Sequence, residues 1–142
     1  MIRAAGLLLC LATSPATAGE ASELRARLKA LAGPSDPYAA EKAADLNRIA
    51  ADAPRLFGAD GAGDIALFVG PDCADCPAAQ ESLQALAAVL DKQVRILDIS
   101  DPANSALMQR MTLDTVPSYV MPDKLIRGAM PRVVLERYLT EN

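Results

Sequence analysis

The fold is decided by the stretch FVGPDCADCP, which covers residues 68–77. An apolar run from Ile65 to Val69 leads into it and predicts a buried strand. Gly70 and Pro71 indicate a turn. An alanine-rich pattern from residue 77 to about residue 90 then predicts a helix. Two cysteines with C-x-x-C spacing therefore lie where a strand passes into a helix.

This position suits thiol chemistry. The first turn of a helix has N–H groups without partners and the positive end of the helix dipole, and both favour a thiolate over a thiol. We therefore take Cys73 and Cys76 as the candidate reactive pair. The alternative is a purely structural, unreactive disulfide that closes a very short loop, although such a loop gains little stability from a cross-link.

Composition limits the possible functions. The chain has 142 residues, of which 51% are apolar, which is enough for one domain with a real core. Its net charge of −4 argues against nucleic acid and against an anionic membrane surface as partners. The sequence contains no histidine, and this excludes Ser-His and Cys-His catalysis and histidine-containing metal sites.

The N-terminal residues have the pattern of a secretory signal peptide. Arg3 precedes an apolar run over residues 4–12, and Ala16-Thr17-Ala18 supplies a cleavage motif. The run is too short for a membrane-spanning helix, so we expect cleavage after Ala18, with an uncleaved anchor as the alternative. An exported chain meets an oxidising compartment, and we expect the two remaining cysteines to be joined.

The rest of the chain predicts an N-terminal helical segment and linker over residues 19–53 and a domain over residues 54–142. The first part contains a helix over 20–32 and a second helix from Tyr38 to Asp52, which Pro54 should end. Residues 55–57 form a plausible short edge strand.

The domain continues with alternating elements after the cysteine helix. The apolar pattern of residues 93–99 predicts a buried strand, parallel to the first because a helix crosses between them. The remaining predicted elements are a helix over about 103–111, strands over 118–121 and 125–127, and a helix over 132–140. This order predicts an α/β sandwich with a mixed sheet.

Three features together resemble the thioredoxin fold. They are the segment Cys73-Ala74-Asp75-Cys76 after a buried strand, Val116-Pro117 before the next-to-last strand, and Gly128-Ala129 before the final helix. The match covers residues 55–142 and is most similar to the catalytic domain of periplasmic Dsb-type disulfide isomerases and oxidoreductases. It implies a three-layer sandwich in which helices flank a central mixed sheet. At Leu67 the sequence departs from thioredoxins, which have a buried acid there.

The resemblance also implies roles for individual residues. Cys73 would attack a substrate disulfide and Cys76 would resolve the mixed disulfide. Pro117, for which the residues alone leave cis and trans equally open, would be the cis-proline that faces the cysteines. Val116 and Thr115 would bind the substrate chain by strand addition. We expect the negative charges of Asp72 and Asp75 to make Cys73 less acidic than in strongly oxidising relatives.

These features favour an exported thiol–disulfide oxidoreductase that needs no cofactor. Its partners would be cysteine-containing exported proteins and a membrane redox protein, and it would be a monomer or a dimer through residues 20–32. A thioredoxin-fold binding or assembly module with a non-catalytic disulfide is the second reading of the sequence. The third, a metal carrier, would need both thiolates to hold copper(I) or a site shared between chains.

Overall fold

The structure is a computed structural model that describes residues 18–31, 36–61 and 63–140. The predicted signal peptide lies outside these residues except for Ala18. The chain divides into two compact units, Met1–Pro37 and Tyr38–Asn142. The first contains helix α1 (Ala18–Leu31), on which Leu24 and Leu28 are exposed. The predicted domain limits at residues 53 and 54 stay a prediction.

The second unit alternates helices with strands around one four-stranded sheet. The strand order is β2-β1-β3-β4, with β1 parallel to β2 and antiparallel to β3, and with β3 antiparallel to β4. This confirms the predicted mixed sheet. The elements are α2 (Ala39–Phe57), β1 (Ile65–Val69), α3 (Cys76–Leu90), β2 (Val94–Asp98), α4 (Pro102–Arg110), β3 (Ser118–Met121), β4 (Lys124–Arg127) and α5 (Arg132–Thr140).

Strand β1 is at the centre of the sheet, and all five of its residues are buried. Helices cover both faces of the sheet, which explains why the strand is apolar throughout instead of alternating. One core cluster includes Leu67 and side chains of α3 and α5, and the other includes Phe68 and side chains of α2 and α4. The layers are helix, sheet and helix, as predicted.

Helix α2 corrects two predictions. It does not end before Pro54, and residues 55–57 are its last turn instead of an edge strand. Leu56 and Phe57 are buried at 0% and 7% exposure, whereas the ring of Pro54 is exposed. Burying two such side chains gains about 1.5–3 kcal/mol each. That gain offsets the roughly 3 kcal/mol that a proline costs inside a helix.

Strand β2 is parallel to β1 as predicted, but it is not a buried strand. Only Leu97 is buried, and the residues on either side of it are exposed or half-buried. The reason is its position at the edge of the sheet. An apolar composition does not distinguish an edge strand from a central one, because edge position depends on pairings distant in sequence.

A buried carboxylate joins α2 to α4. Asp52 is 6% exposed, and its Oδ2 accepts a hydrogen bond from Arg110 Nε at 2.9 Å. Its Oδ1 accepts bonds from Arg110 Nη2 at 3.2 Å and from Arg55 Nη1 at 2.7 Å. The Arg110 hydrogen bond holds the pKa of Asp52 below its usual value, against the effect of burial and with further help from Arg55. Asp52 is therefore ionised and fully paired.

Candidate functional site

The chain leaves β1 through a closely packed turn. The Ile99 N–H donates to the Val69 carbonyl at 2.9 Å, which holds the segment after β2 beside the end of β1. A Cβ on Gly70 would lie 3.0 Å from the side chain of Ile99, so a larger residue there would require that side chain to shift, and the close approach favours glycine. Helix α3 then begins at Cys76, with Asp75 at its N-cap. Cys73 therefore lies in the turn directly before the helix, at the junction between β1 and α3.

The two cysteines form a disulfide whose sulfurs are 2.04 Å apart. Cys76 is 4% exposed and belongs to the core cluster formed with α3 and α5. Cys73 is half-buried and packs against the same cluster. The Cys76 N–H donates to the Cys73 carbonyl at 3.3 Å and closes the turn. Cys73 is therefore partly accessible to solvent, and Cys76 is packed in the core.

The surroundings of the disulfide have two opposing effects on the stability of a cysteine thiolate. The Asp75 side chain makes no capping hydrogen bond at the start of α3, and the helix dipole there favours negative charge on sulfur. Asp72 and Asp75 are exposed, and within the part of the chain that the structure describes their carboxylates have no ion pair or hydrogen bond. Two uncompensated negative charges beside the sulfurs disfavour a thiolate.

The loop before β3 lies close to the turn that carries the cysteines. A Cβ on Gly70 would be 3.5 Å from Val116 Cγ2, and the side chain of Val116 packs against both core clusters. The Val116–Pro117 peptide bond is cis. The structure therefore brings the predicted substrate-binding segment beside the segment that carries the disulfide.

The backbone of this loop is held from two sides. The Pro117 carbonyl accepts the Gly128 N–H at 2.9 Å, and Gly128 has a φ of 86°, which favours glycine. The Ser118 hydroxyl donates to the Thr115 carbonyl at 2.6 Å. Among the described residues, the N–H and C=O of Val116 have no hydrogen-bond partner. Val116 can therefore offer both main-chain groups to another chain.

The strand position that holds an acid in thioredoxins is apolar here. Leu67 is fully buried and is in register with Tyr119 of β3, which is also fully buried. Within the described part of the chain, the Tyr119 hydroxyl has no hydrogen bond of normal geometry. Burial raises the pKa of Tyr119, and an interaction with the backbone of Met130 opposes this shift. The core beneath the disulfide therefore contains a neutral phenol instead of a carboxylate.

An open groove of about 390 Å³ lies beside the disulfide. Its wall includes both cysteines, the end of β1 with the following turn, and three polar residues of α3 that the sequence analysis did not consider. Those residues follow Cys76 by four, five and eight positions, a helical spacing that could have indicated a shared face. The full lining is Val69, Gly70, Pro71, Cys73, Cys76, Pro77, Gln80, Glu81 and Gln84.

The described ranges 18–31, 36–61 and 63–140 also bear on metal binding and on membrane insertion. These ranges contain no group of three or more cysteine, aspartate or glutamate side chains arranged to hold a metal ion. None of their helices combines the length and the apolar character needed to cross a membrane.

Comparison with known proteins identifies the fold. No protein-family model matches the sequence, and no curated protein matches it. Among solved structures, a linker-deletion mutant of ScsC from Proteus mirabilis matches with a TM-score of 0.56 and 13% sequence identity. The match covers 92% of this chain and 98% of that one. Together with the mixed sheet and the C-x-x-C disulfide at the start of α3, it identifies the chain as a protein of thioredoxin-like fold.

Proposed function

We propose that the protein is an exported thiol–disulfide oxidoreductase that exchanges disulfides with the cysteines of other proteins. The observation that carries the proposal is the unequal exposure of two joined cysteines. Cys73 is accessible at the surface, and Cys76 is almost fully buried behind it. Thiol–disulfide exchange needs one sulfur that an external thiolate can reach and a second that leaves and returns.

The exchange proceeds in two steps. A substrate thiolate attacks the Cys73 sulfur, forms a mixed disulfide and releases Cys76 as a thiolate, which takes up a proton. A second substrate thiolate then attacks the substrate sulfur of the mixed disulfide and releases Cys73 as a thiolate. The substrate gains a disulfide, and the protein gains two electrons. The same steps in reverse reduce a substrate disulfide, so the redox partner sets the direction.

Val116 supports a binding mode for the substrate chain. Its free N–H and C=O can pair with an extended polypeptide, as in strand addition at a sheet edge. Pro117 has no N–H, so it adds no further donor to this segment. Thr115 is exposed beside it, with its carbonyl already bonded to Ser118. Substrate would then be held by main-chain contacts, which accept many sequences.

The setting of this activity follows from the N-terminal sequence. A cleaved signal peptide over residues 1–18 would deliver the protein to the periplasm, where protein disulfides form. Cysteine-containing exported proteins would be its substrates, and a membrane redox protein would restore its redox state. The helix within residues 20–32 offers exposed Leu24 and Leu28, which could pair two copies if the protein is a dimer.

Replacement of one cysteine tests the function. With Cys76→Ser, the Cys73 thiolate still attacks a substrate disulfide and releases one substrate thiolate, but no Cys76 thiolate is present to attack the Cys73 sulfur of the mixed disulfide, so disulfide-linked complexes with exported cysteine proteins should accumulate. They should be visible on non-reducing gels and disappear on reduction. The matched control, Cys73→Ser, should give none. If Cys76→Ser traps no complex although it folds and its Cys73 thiol reacts with a small reagent, the proposal fails and a binding module with an inert disulfide replaces it.

A further inference from the structure

The wall of the groove beside the disulfide does not include Val116 or Pro117, the segment proposed to hold the substrate main chain. It begins at the two cysteines and continues along the first turns of α3. Cys76 and Gln80 are four residues apart, as are Pro77 and Glu81, so both pairs lie along one side of the helix. The groove is therefore a candidate for contacts with substrate side chains, in addition to the main-chain contact proposed at Val116.

The wall of the groove combines two kinds of surface. Val69, Pro71 and Pro77 supply apolar atoms close to the disulfide. Gln80, Glu81 and Gln84 supply two amides and one carboxylate farther along the helix. A side chain that is apolar along its stem and charged at its tip would match both parts. Lysine and arginine have this construction.

The negative charge in and around the groove favours a positively charged ligand. Glu81 is exposed, and in the part of the chain that the structure describes its carboxylate has no ion pair or hydrogen bond. Asp72 and Asp75, on the same side of the fold, are also without a cationic partner in that part. Three uncompensated carboxylates beside one groove attract a cation and repel an acidic segment.

We propose that this groove binds a lysine or arginine side chain of the substrate protein close to its reactive cysteine. The inference rests on the proposed exchange function and specifies its substrate class. Glu81 follows Cys76 by five residues, which is about 7.5 Å along a helix. An extended chain advances about 3.3 Å per residue. Measured from Cys76, the disulfide partner of Cys73, this places the basic residue at least about two or three positions from the substrate cysteine.

Peptide substrates test this preference directly. Each peptide carries one cysteine in a mixed disulfide with thionitrobenzoate, and lysine, glutamine or glutamate two positions before or after it. The reduced protein attacks the mixed disulfide, and the initial rate of release of the coloured thionitrobenzoate is measured. We expect the lysine peptide to react about two- to five-fold faster than the glutamine peptide in at least one of the two placements, as for an exposed ion pair.

Variants of Glu81 assign the preference to the groove. With Glu81→Gln the ratio of the lysine rate to the glutamine rate should fall towards one, because only Asp72 and Asp75 remain, and with Glu81→Lys the ratio of the glutamate rate to the lysine rate should rise. Use of a ratio cancels any change in the reactivity of Cys73 itself. The matched control is Glu136→Lys on α5, an exposed position outside the groove, which should keep the ratio of the unmodified protein.

The outcomes distinguish failure of this inference from failure of the exchange function on which it rests. If every peptide releases thionitrobenzoate but the ratio is near one, or if Glu81→Gln leaves the ratio unchanged, the groove does not select basic residues and the exchange function stands. If no peptide reacts with folded protein whose cysteines are reduced, the exchange function fails, and the inference fails with it.

Discussion

Two groups of carboxylates in this small domain differ sharply in their surroundings. Asp52 is buried between α2 and α4 and accepts three hydrogen bonds from two arginines. Asp72 and Asp75 neighbour the cysteines in the chain and Glu81 lines the groove beside them; all three are exposed, and their carboxylates have no partner in the described part of the chain. The same chemical group is therefore fully paired at the contact between α2 and α4 and unpaired at the candidate site.

The difference indicates what each group does. A paired carboxylate has its charge neutralised nearby, so its effect is local and is measured as stability. An unpaired, exposed carboxylate contributes little to stability, but its charge acts on neighbouring ionisable groups and on approaching ligands. Mutations at the contact between α2 and α4 should therefore change the free energy of unfolding. Mutations around the disulfide should change the reactivity of Cys73 and the preference among substrates.

The largest expected effect comes from removal of Arg110, the less exposed of the two arginines that pair with Asp52. Arg110→Met removes two hydrogen bonds to Asp52 and should lower the free energy of unfolding by about 2–3 kcal/mol, because a buried carboxylate keeps only one partner. The matched variant Arg55→Met removes one bond from a side chain that is 68% exposed. It should cost less than about 1 kcal/mol. Denaturant unfolding of both variants measures the difference. Equal decreases in the free energy of unfolding would contradict this description of the Asp52 pairing.

The pH dependence of stability should follow the Asp52 pairing. Because the pKa of Asp52 in the folded state lies below its unfolded value of about 3.9, the pairing contributes its full stability above that pH. The contribution is lost as pH falls through the folded pKa. Asp52→Asn should therefore destabilise most at neutral pH, and its deficit relative to the unmodified protein should shrink in acid. A deficit that stays constant from neutral pH to strong acid would rule out this role for the charge.

The smallest change in stability is expected beside the disulfide. The double variant Asp72→Asn, Asp75→Asn should unfold within about 0.5 kcal/mol of the unmodified protein, because neither side chain has a partner to lose. In the reduced protein, however, Cys73 should form its thiolate at lower pH and react faster at neutral pH. Titration of the thiolate by its ultraviolet absorbance measures this. A Cys73 thiol in the unmodified protein that is half ionised below pH 5 would refute the proposed effect of the two aspartates.

The sequence was sufficient for those parts of the site that depend on local patterns. Cys73 and Cys76 follow an apolar run and precede a helical pattern, so their place at a strand–helix junction could be predicted. Pro117 and Gly128 were identified only through the thioredoxin resemblance, because the residues alone left the isomer of Pro117 open. The unpaired backbone of Val116 and the proximity of Gly70 to Val116 depend on tertiary packing.

The errors in prediction arose where tertiary packing overrode a local rule. Pro54 predicts a helix end, but the burial of Leu56 and Phe57 continues α2 past it. Asp52 and Arg110 are 58 positions apart, so no local pattern indicates that they pair. The groove beside the disulfide was missed for a different reason. Gln80, Glu81 and Gln84 follow Cys76 at helical spacing, and polar residues on a helix are usually a solvated face.

The most direct test of the central claim is the redox equilibrium of Cys73 and Cys76 in the folded protein. The protein is equilibrated in thiol–disulfide buffers of defined potential, and free thiols are trapped and counted. The account predicts reversible cycling. A midpoint near about −120 to −180 mV would indicate an oxidant or isomerase, and one near about −270 mV or lower would indicate a reductant. A disulfide that opens only when the protein unfolds would contradict the account.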